Sequence, residues 1–492
     1  MKLVKVVSLM LVVTVLWGAS LPATAWAQPN PPGGEVPTAQ PASPAEEQKV
    51  YFPLVSNNPG VTQVQGLFGY ETWYLSESNG VEKMANAGAD WVRKNALLWE
   101  EVEPSRGARN WSAVASLENE FKYATSKNQE IILIIRATPY WARMSAYQNQ
   151  NCSPVRQDAL PDFAAFLRDV VARYSVEPYK IKYYEIWNEP DVDPSVITSN
   201  EANFGCWGNV NDPYYGGRYF GEMLKTVYPQ MKNANPAAQV LVGGLLMDCD
   251  PNNPPSGKNC TASKFFEGIL VSGAGNSFDG VAYHAYDYYA GYGKSSNSNW
   301  NSFWNTTGPV LRAKAQFLRN VMSAYGVSGK YLVNTEVALI CGTTGSEDYC
   351  QTNEFKDTKA FYVSQAYASS YLEDLRAASW YHLFGWRASQ LMNTALEGEQ
   401  AFNAYAFAAG RFGNATNAWE VYVGDNYVKA IDFSVGNKLV RVMWTLDGNS
   451  HTISVPTSTT AIWVWDSATG NYKSVTVTST VNVGFAPVYL EH

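Results

Sequence analysis

The chain has 492 residues, of which 46% are hydrophobic and 14% aromatic, and its formal net charge at pH 7 is −8. A protein of this charge is a poor partner for nucleic acid, and a neutral substrate suits it better. We find no internal repeat with a period of about 20 to 50 residues. One large domain with a smaller one therefore fits this length better than an array of small domains.

The N-terminal segment has the pattern of an export signal. Two lysines precede an apolar run at 6–17, and Ala25-Trp26-Ala27 supplies the small-x-small pattern of a cleavage site. We predict a signal peptide over 1–27 and a secreted product without membrane association after cleavage, an uncleaved anchor being the alternative. Residues 28–49 are rich in proline and alanine and cannot bury enough apolar surface to fold, so they are predicted to be a linker.

Short, nearly continuous apolar runs alternate with helical patterns from residue 50 to 413. Runs of this kind are typical of strands that are buried on both faces. Eight strand-then-helix units predict a (β/α)8 TIM barrel of the α/β class, the alternative being a doubly wound open sheet. The predicted strands are 66–70, 91–94, 131–136, 181–187, 240–245, 280–284, 331–335 and 378–383.

The pattern changes after residue 413. Alternating apolar and polar residues, separated by turn signals such as Asp447-Gly448-Asn449, predict a small β-sandwich over 414–492. The segment 50–55 is a candidate for an additional N-terminal strand of this sandwich.

Two glutamates lie where strands of the predicted barrel end. Glu189, in Trp187-Asn188-Glu189-Pro190, closes the fourth strand, and Glu336 closes the seventh. Polar residues at the carboxyl ends of barrel strands face the active site, and Pro190 prevents the fourth strand from continuing. Paired carboxylates at a barrel mouth suit glycoside hydrolysis, in which one protonates the leaving oxygen and the other attacks the anomeric carbon or activates water.

These motifs, with His284-Ala285-Tyr286 on the sixth strand and the segment 91–104 on the second, resemble the clan A retaining glycoside hydrolases. The clan includes cellulase, mannanase and β-xylosidase families, and the likeness covers about 60–413. The resemblance implies a retaining enzyme with Glu189 as acid/base and Glu336 as nucleophile. It also implies that carbohydrate-binding roles fall on Asn188, Arg93, His284, Tyr286, Trp380, Trp386 and Trp141.

Within that set, Asn188 would donate to the sugar 2-hydroxyl, and Arg93 and Tyr286 would keep Glu336 ionised. Trp380 would be the sugar platform, with Trp386 as the second choice.

Several of these residues have a structural alternative. Arg93 could instead pair with Glu185, an interior acid of the fourth strand that needs a partner if it is buried, and Arg136 competes for that role. His284 could be an ordinary core histidine, and Tyr286 could serve only in packing. Trp141 and Trp386 could equally be core residues.

The six cysteines are expected to form disulfides, because an even number occurs in a predicted exported chain. Six cysteines allow 15 connectivities, and the pairing of neighbours along the chain is a hypothesis. Without C-x-x-C or H-E-x-x-H, and with four histidines, the sequence predicts neither a metal site nor a cofactor. The pairs under this hypothesis are Cys152 with Cys206, Cys249 with Cys260, and Cys341 with Cys350.

The sequence thus predicts a secreted retaining β-glycosidase acting on a polysaccharide or its oligosaccharides. An exo-acting enzyme of the β-xylosidase or arabinofuranosidase type is the first alternative. A catalytically silent carbohydrate-binding protein on the same scaffold is the second. The sugar, the linkage and the oligomeric state do not follow from the sequence.

Overall fold

The computed structural model describes residues 66–290, 300–304 and 308–492. The predicted signal peptide, the linker and the strand at 50–55 lie outside these residues. Among the described residues, no helix is both long and apolar enough to cross a membrane.

Eight parallel strands close into a barrel, as predicted. The pairing order is β1-β2-β3-β4-β5-β6-β8-β9, the β5–β6 and β1–β9 pairings complete the ring, and a short antiparallel strand, β7, extends β6. The strands are β1 Phe68–Glu71, β2 Trp91–Leu98, β3 Glu130–Arg136, β4 Tyr183–Asn188, β5 Gln239–Leu245, β6 Gly280–Tyr289, β7 Trp300–Asn301, β8 Tyr331–Ile340 and β9 Leu375–Trp380.

Helices follow the strands and cover the barrel. Their buried faces are apolar; in α4, for example, the phenylalanines, valines and leucines all point inward. The helices are α1 Val81–Asn86, α2 Trp99–Val102, α3 Ala115–Ser126, α4 Leu160–Tyr174, α5 Gly217–Ala234, α6 Phe265–Val271, α7 Leu311–Ala324, α8 Asn353–Leu372 and α9 Gln400–Phe412.

The last barrel strand differs from its prediction. It was expected at 378–383 but runs from Leu375 to Trp380, three residues earlier. Leu375 and Ala377 are buried, yet Arg376 between them interrupts the apolar run that marked the other strands. This shift changes the side-chain directions expected at the strand end.

The residues after α9 form antiparallel sheets, as predicted. A six-stranded sheet has the order β10-β11-β12-β17-β14-β15, and β13 pairs with β16. The strands are β10 Asn417–Glu420, β11 Val428–Val435, β12 Lys438–Thr445, β13 His451–Ser454, β14 Ala461–Asp466, β15 Asn471–Val475, β16 Thr480–Val483 and β17 Val488–Glu491.

The sheets pack on the barrel through α8 and α9. Phe407 stacks on Tyr472 at 4.4 Å between ring centroids, and Phe412 stacks on Phe433 at the same distance. Aromatic pairs of this kind add about 0.5 to 1.5 kcal/mol beyond the area they bury. The apolar core is therefore continuous from the barrel into the sandwich.

Candidate active site

The guanidinium of Arg93 is the centre of the polar network at the barrel mouth. It is fully buried, and its Nη1 donates to Glu71 at 2.8 Å and to Glu336. Its other edge donates to both oxygens of Glu185, at 2.7 and 3.1 Å, and its Nη2 also lies 2.6 Å from Oδ1 of Asn188. Arg93 therefore fills both roles that the sequence left open, since one edge pairs with Glu185 and the other with Glu336.

Arg136 does not compete for Glu185. Its Nε donates to Asn95 at 2.6 Å and its Nη1 to the carbonyl oxygen of Ala202 at 3.2 Å. Glu185 takes its third hydrogen bond from the backbone N–H of Gly244, at 2.9 Å. Because every oxygen of this fully buried carboxylate has a donor, its burial is compensated.

The backbone at the end of β4 turns Asn188 and Glu189 toward the mouth. Trp187 and Glu189 both have positive φ, 75° and 43°, a conformation that non-glycine residues rarely adopt. The N–H of Glu189 still donates to the carbonyl oxygen of Gly244, at 2.9 Å, so the kink stays attached to β5. Such conformations cluster at functional sites.

Gly244 leaves room for this network. A Cβ at this position would lie 2.2 Å from Nε2 of His284 and 2.9 Å from Oε1 of Glu185. Any side chain here would therefore push apart the strands that bring His284 and Glu185 to Arg93.

The two predicted catalytic glutamates meet across the mouth. One oxygen of Glu189 and one of Glu336 lie within 4.8 Å of each other and of a ring nitrogen of His284. Nδ1 of His284 is 2.8 Å from Oε1 of Glu189 and 3.4 Å from Oε2 of Glu336. Tyr286 donates its hydroxyl hydrogen to Oε2 of Glu336. His284 and Tyr286 therefore belong to the site and are not ordinary packing residues.

Burial and charge set the protonation of the pair. Burial raises the pKa of Glu189 well above its usual value, and the negative charge of Glu336 raises it further. Burial also raises the pKa of Glu336, although Arg93 opposes the rise through its charge and hydrogen bond, as does the hydroxyl of Tyr286. The donors predicted to keep Glu336 ionised thus act in the expected direction but against a larger effect of burial. As the pH rises, Glu336 ionises first and Glu189 keeps its proton longer.

Asn188 is held at both ends of its amide. Its oxygen accepts from Arg93, and its Nδ2 donates to the carbonyl oxygen of Asn203 at 3.1 Å. Because an amide nitrogen carries two hydrogens, one N–H of Asn188 remains available for another acceptor.

Trp380 is not a sugar platform, contrary to the prediction. Its side chain has no exposed surface, and its Nε1 donates to the carbonyl oxygen of Ser389 at 2.8 Å. The error follows from the misplaced end of β9. Trp386, the second choice, is partly exposed and packs edge-to-face on Tyr286, with 5.4 Å between ring centroids. It therefore borders the carboxylates.

Trp141 lies apart from this cluster. Its ring packs edge-to-face on the buried Trp99 at 5.3 Å, and its Nε1 donates to the carbonyl oxygen of Glu103 at 3.1 Å. The guanidinium of Arg106 covers it at 5.7 Å. These contacts agree with the core alternative for Trp141.

Two residues of the network were missed in the sequence. Glu71 ends β1, one residue past the predicted end of that strand, and the rule that identified Glu189 applies equally to it. Lys314 lies on α7, is buried, and donates to the carbonyl oxygens of Leu246 at 2.7 Å and His284 at 2.9 Å. Burial lowers the pKa of Lys314 to about 8. Nothing in the local pattern of α7 distinguishes this lysine from a surface one.

Glu189, His284 and Glu336 could supply ligands to a metal by type and spacing. Arg93, however, already places a positive charge on Glu336 and lies 3.2 Å from His284. A divalent cation among these groups would be repelled by the guanidinium. The absence of a metal stays a prediction from sequence.

All six cysteines form disulfides, in the pairs expected from neighbouring positions. Cys152 pairs with Cys206, Cys249 with Cys260, and Cys341 with Cys350. Each bridge lies in loops that follow the carboxyl ends of barrel strands. The three bridges therefore constrain the loops on the face that carries the carboxylates.

No protein-family description and no curated protein sequence matches the chain. Solved structures do match. A family 39 glycoside hydrolase from the gut symbiont Bacteroides cellulosilyticus WH2 is 18% identical, with a TM-score of 0.61 over 86% of this chain and 80% of that chain. A glycoside hydrolase family 30 subfamily 8 xylanase from Clostridium acetobutylicum is 14% identical, with a TM-score of 0.57 over 87% and 96%.

A monomeric β-xylosidase from Caulobacter crescentus CB15 is 13% identical, with a TM-score of 0.54 over 87% of this chain and 96% of that chain. The chain thus has the fold of these glycoside hydrolases, a barrel with an attached β-sandwich. The resemblance predicted from the motifs is confirmed as a likeness of fold.

Proposed function

We propose that this protein is a secreted retaining β-glycoside hydrolase that cleaves polysaccharide or oligosaccharide without a cofactor. The supporting observation is the carboxylate pair, because the nearest oxygens of Glu189 and Glu336 lie within 4.8 Å. Retaining enzymes have carboxyl groups about 5 to 5.5 Å apart, whereas inverting enzymes need about 6.5 to 9.5 Å to admit a water.

The reaction proceeds in two displacements. A carboxylate oxygen of Glu336 attacks the anomeric carbon while the bond to the leaving oxygen breaks, and Glu189 gives that oxygen its proton. Glu189, now ionised, takes a proton from water. The water oxygen then attacks the anomeric carbon and displaces Glu336, which restores both groups to their starting states.

The residues around the pair support these roles. Arg93 and Tyr286 donate to Glu336, which favours its ionised, nucleophilic form over that of Glu189. Among the described residues, Glu189 has no lysine or arginine within ion-pairing distance, and its partner is the neutral ring of His284. Burial and the charge of Glu336 raise the pKa of Glu189, which favours its protonated form. This difference in surroundings supports Glu336 as the nucleophile and Glu189 as the acid.

Secretion is supported by the three disulfides and by the predicted signal peptide. Exo action remains the first alternative, since one fold neighbour is a β-xylosidase, while another is a xylanase. A carbohydrate-binding protein needs neither carboxylate, and the complete network argues against that alternative.

The stereochemistry of the first product tests the proposal. Release of reducing sugar from β-glucan, xylan and mannan first identifies a substrate, and proton NMR then follows the anomeric signal of the product. The β-anomer should appear first and mutarotate later. An initial α-anomer would show inversion and overturn the proposal, as would the absence of hydrolysis on every β-glycan and aryl β-glycoside.

A further inference from the structure

A series of ring contacts connects Tyr286, the hydroxyl donor to Glu336, with the exposed Trp73. The ring of Tyr286 contacts Tyr381 at 6.0 Å between centroids, Tyr381 contacts His382 at 5.6 Å, and His382 contacts Trp73 at 5.4 Å. Trp73 also packs on Phe384 at 5.0 Å. Trp73 is therefore connected through ring contacts to Tyr286, whose hydroxyl donates to Glu336.

The ring of Trp73 is open to solvent although its backbone is fixed. Its side chain is 52% exposed, whereas Lys94, which donates to its carbonyl oxygen at 2.5 Å, is buried. Lys94 in turn pairs with Glu120 at 2.7 Å, and Glu120 accepts the N–H of Leu75 at 2.7 Å. This ion pair therefore holds the backbone at the carbonyl oxygen of Trp73 and at the N–H of Leu75. An exposed aromatic surface on so well held a segment is typical of a binding site.

The position of Trp73 in the barrel indicates which part of a substrate it meets. It follows Glu71, at the end of β1, by two residues, and His382 follows Trp380, the last residue of β9, by two. The strands β1 and β9 lie across the ring from β4, which carries Glu189. Because Glu189 gives its proton to the leaving group, the leaving group lies on the β4 side. Trp73 therefore lies on the side of the sugar that becomes bonded to Glu336.

We propose that Trp73 is the platform of a further glycone subsite, which binds the sugar that precedes the cleaved residue in a β-linked chain. This inference rests on the proposed function and narrows it: the substrate has at least two sugars on the non-reducing side of the scissile bond, so cleavage is not restricted to single terminal residues. A pyranose ring offers a face of C–H groups that packs on an indole, and its hydroxyls remain in water.

The test compares substrates that differ only on the glycone side. Release of nitrophenol is measured from 4-nitrophenyl β-glucoside and β-xyloside and from the corresponding β-cellobioside and β-xylobioside. The wild type should prefer a disaccharide substrate. The Trp73→Ala variant should lose about tenfold in kcat/KM on that disaccharide and less than about twofold on the monosaccharide. Tyr422→Ala, which removes a ring that is 69% exposed on the sandwich, is the matched control and should change neither.

Equal losses on both substrates, or no loss, would overturn the platform while leaving the proposed function intact. If neither an aryl glycoside nor a β-glycan is hydrolysed, the proposed function fails, and calorimetric titration with cellohexaose and xylohexaose decides the subsite separately. Binding that weakens about tenfold in Trp73→Ala supports the platform. Binding that is undetectable in the wild type, or unchanged in the variant, overturns it. Circular dichroism confirms that each variant is folded.

Discussion

His284 donates its Nδ1 hydrogen to Oε1 of Glu189, over 2.8 Å. The direction follows from the other ring nitrogen, since Nε2 lies 3.2 Å from Nη2 of Arg93 and a guanidinium only donates. Nε2 must accept, so the single proton of the neutral ring is on Nδ1. Arg93 thus orients both the nucleophile and, through His284, the acid/base.

This relationship predicts that His284 does not titrate near neutral pH. Burial lowers the pKa of His284 well below its usual value, and the charges of Arg93 and Lys314 lower it further. In nitrogen-15 NMR spectra, His284 should show the neutral Nδ1–H tautomer from about pH 5 to pH 8. His451, whose pKa is raised, serves as the internal control that titrates in the same spectra. An imidazolium signal from His284 at pH 6 would contradict the assignment.

Arg93→Lys should remove both stability and activity. An ammonium cannot bridge three carboxylates in the geometry of the fork, so buried Glu185 and Glu71 lose partners, at a cost of about 3 to 5 kcal/mol in the free energy of unfolding. The control is Arg441→Lys, because Arg441 makes a similar two-bond pair with Asp432 in the sandwich, at 2.6 and 2.7 Å. Urea titration should show a lower free energy of unfolding for both Arg93→Lys and Arg441→Lys. Only Arg93→Lys should show a reduced kcat.

The two catalytic glutamates should respond differently to rescue. Glu336→Ala should abolish turnover, and azide should restore it by occupying the space of the nucleophile and giving a glycosyl azide of inverted configuration. Glu189→Ala should retain hydrolysis of dinitrophenyl glycosides, because their leaving groups need no proton. If both variants lose activity equally on every substrate, the division of roles is wrong.

The Cys341–Cys350 bridge closes only a short loop, but we expect it to affect activity, since Cys341 follows Glu336 by five residues. Replacing both cysteines by serine removes a constraint of about 2 to 3 kcal/mol on the unfolded chain. We expect the freed loop to lower kcat/KM while the protein is still folded, that is, while its melting temperature remains above the assay temperature. Serine replacement of Cys249 and Cys260, which close a loop of similar length, is the control. Equal kinetic effects in the two variants would refute a special role.

Glu347 provides a second restraint on the loop that the Cys341–Cys350 bridge closes. Its carboxylate accepts N–H bonds from Thr343, Thr344 and Gly345 at 2.7 to 3.0 Å, and these bonds lower its pKa to about 2. This carboxylate holds the same loop as the bridge, so each restraint compensates in part for loss of the other. Adding Glu347→Ala to the serine variant should therefore reduce kcat/KM by more than the product of the separate effects.

His451 should make the sandwich sensitive to alkaline pH. Its hydrogen bonds with Asp447 and Asp425 raise its pKa, so this stabilisation is complete below the usual histidine value of about 6.5 and is lost as the pH rises through the folded-state pKa. The amount by which the melting temperature of the wild type exceeds that of His451→Asn should decrease as the pH rises from about 6 to about 8.5. A difference that does not vary with pH would refute the coupling.

The sequence was sufficient for the order of the barrel strands and for a strand end that a local signal marks. Glu189 could be identified because Pro190 marks the end of its strand locally. Glu336 could be identified because it is an acid within an apolar run, although it does not end the strand as predicted, since β8 continues to Ile340. Arg93 could not be assigned to one partner, because its two edges serve different carboxylates and no sequence pattern records that. Trp380 was misplaced because strand side chains alternate, so an error in the strand end changes the face on which a residue lies. The role proposed for Trp73 depends on its contacts with His382 and Phe384, which follow β9 and are distant in sequence, so no local pattern reveals it.

The strand β17 has a consequence for the order in which the chain folds. It lies between β12 and β14 in the six-stranded sheet, although it is the last of these strands to be synthesised. Until residues 488–491 leave the ribosome, the two halves of the sheet have no shared neighbour. Phe407 and Phe412 of α9 meanwhile lack their contacts with Tyr489 of β17. Completion of the six-stranded sheet therefore awaits synthesis of the last of its strands, after the barrel that precedes it in the chain.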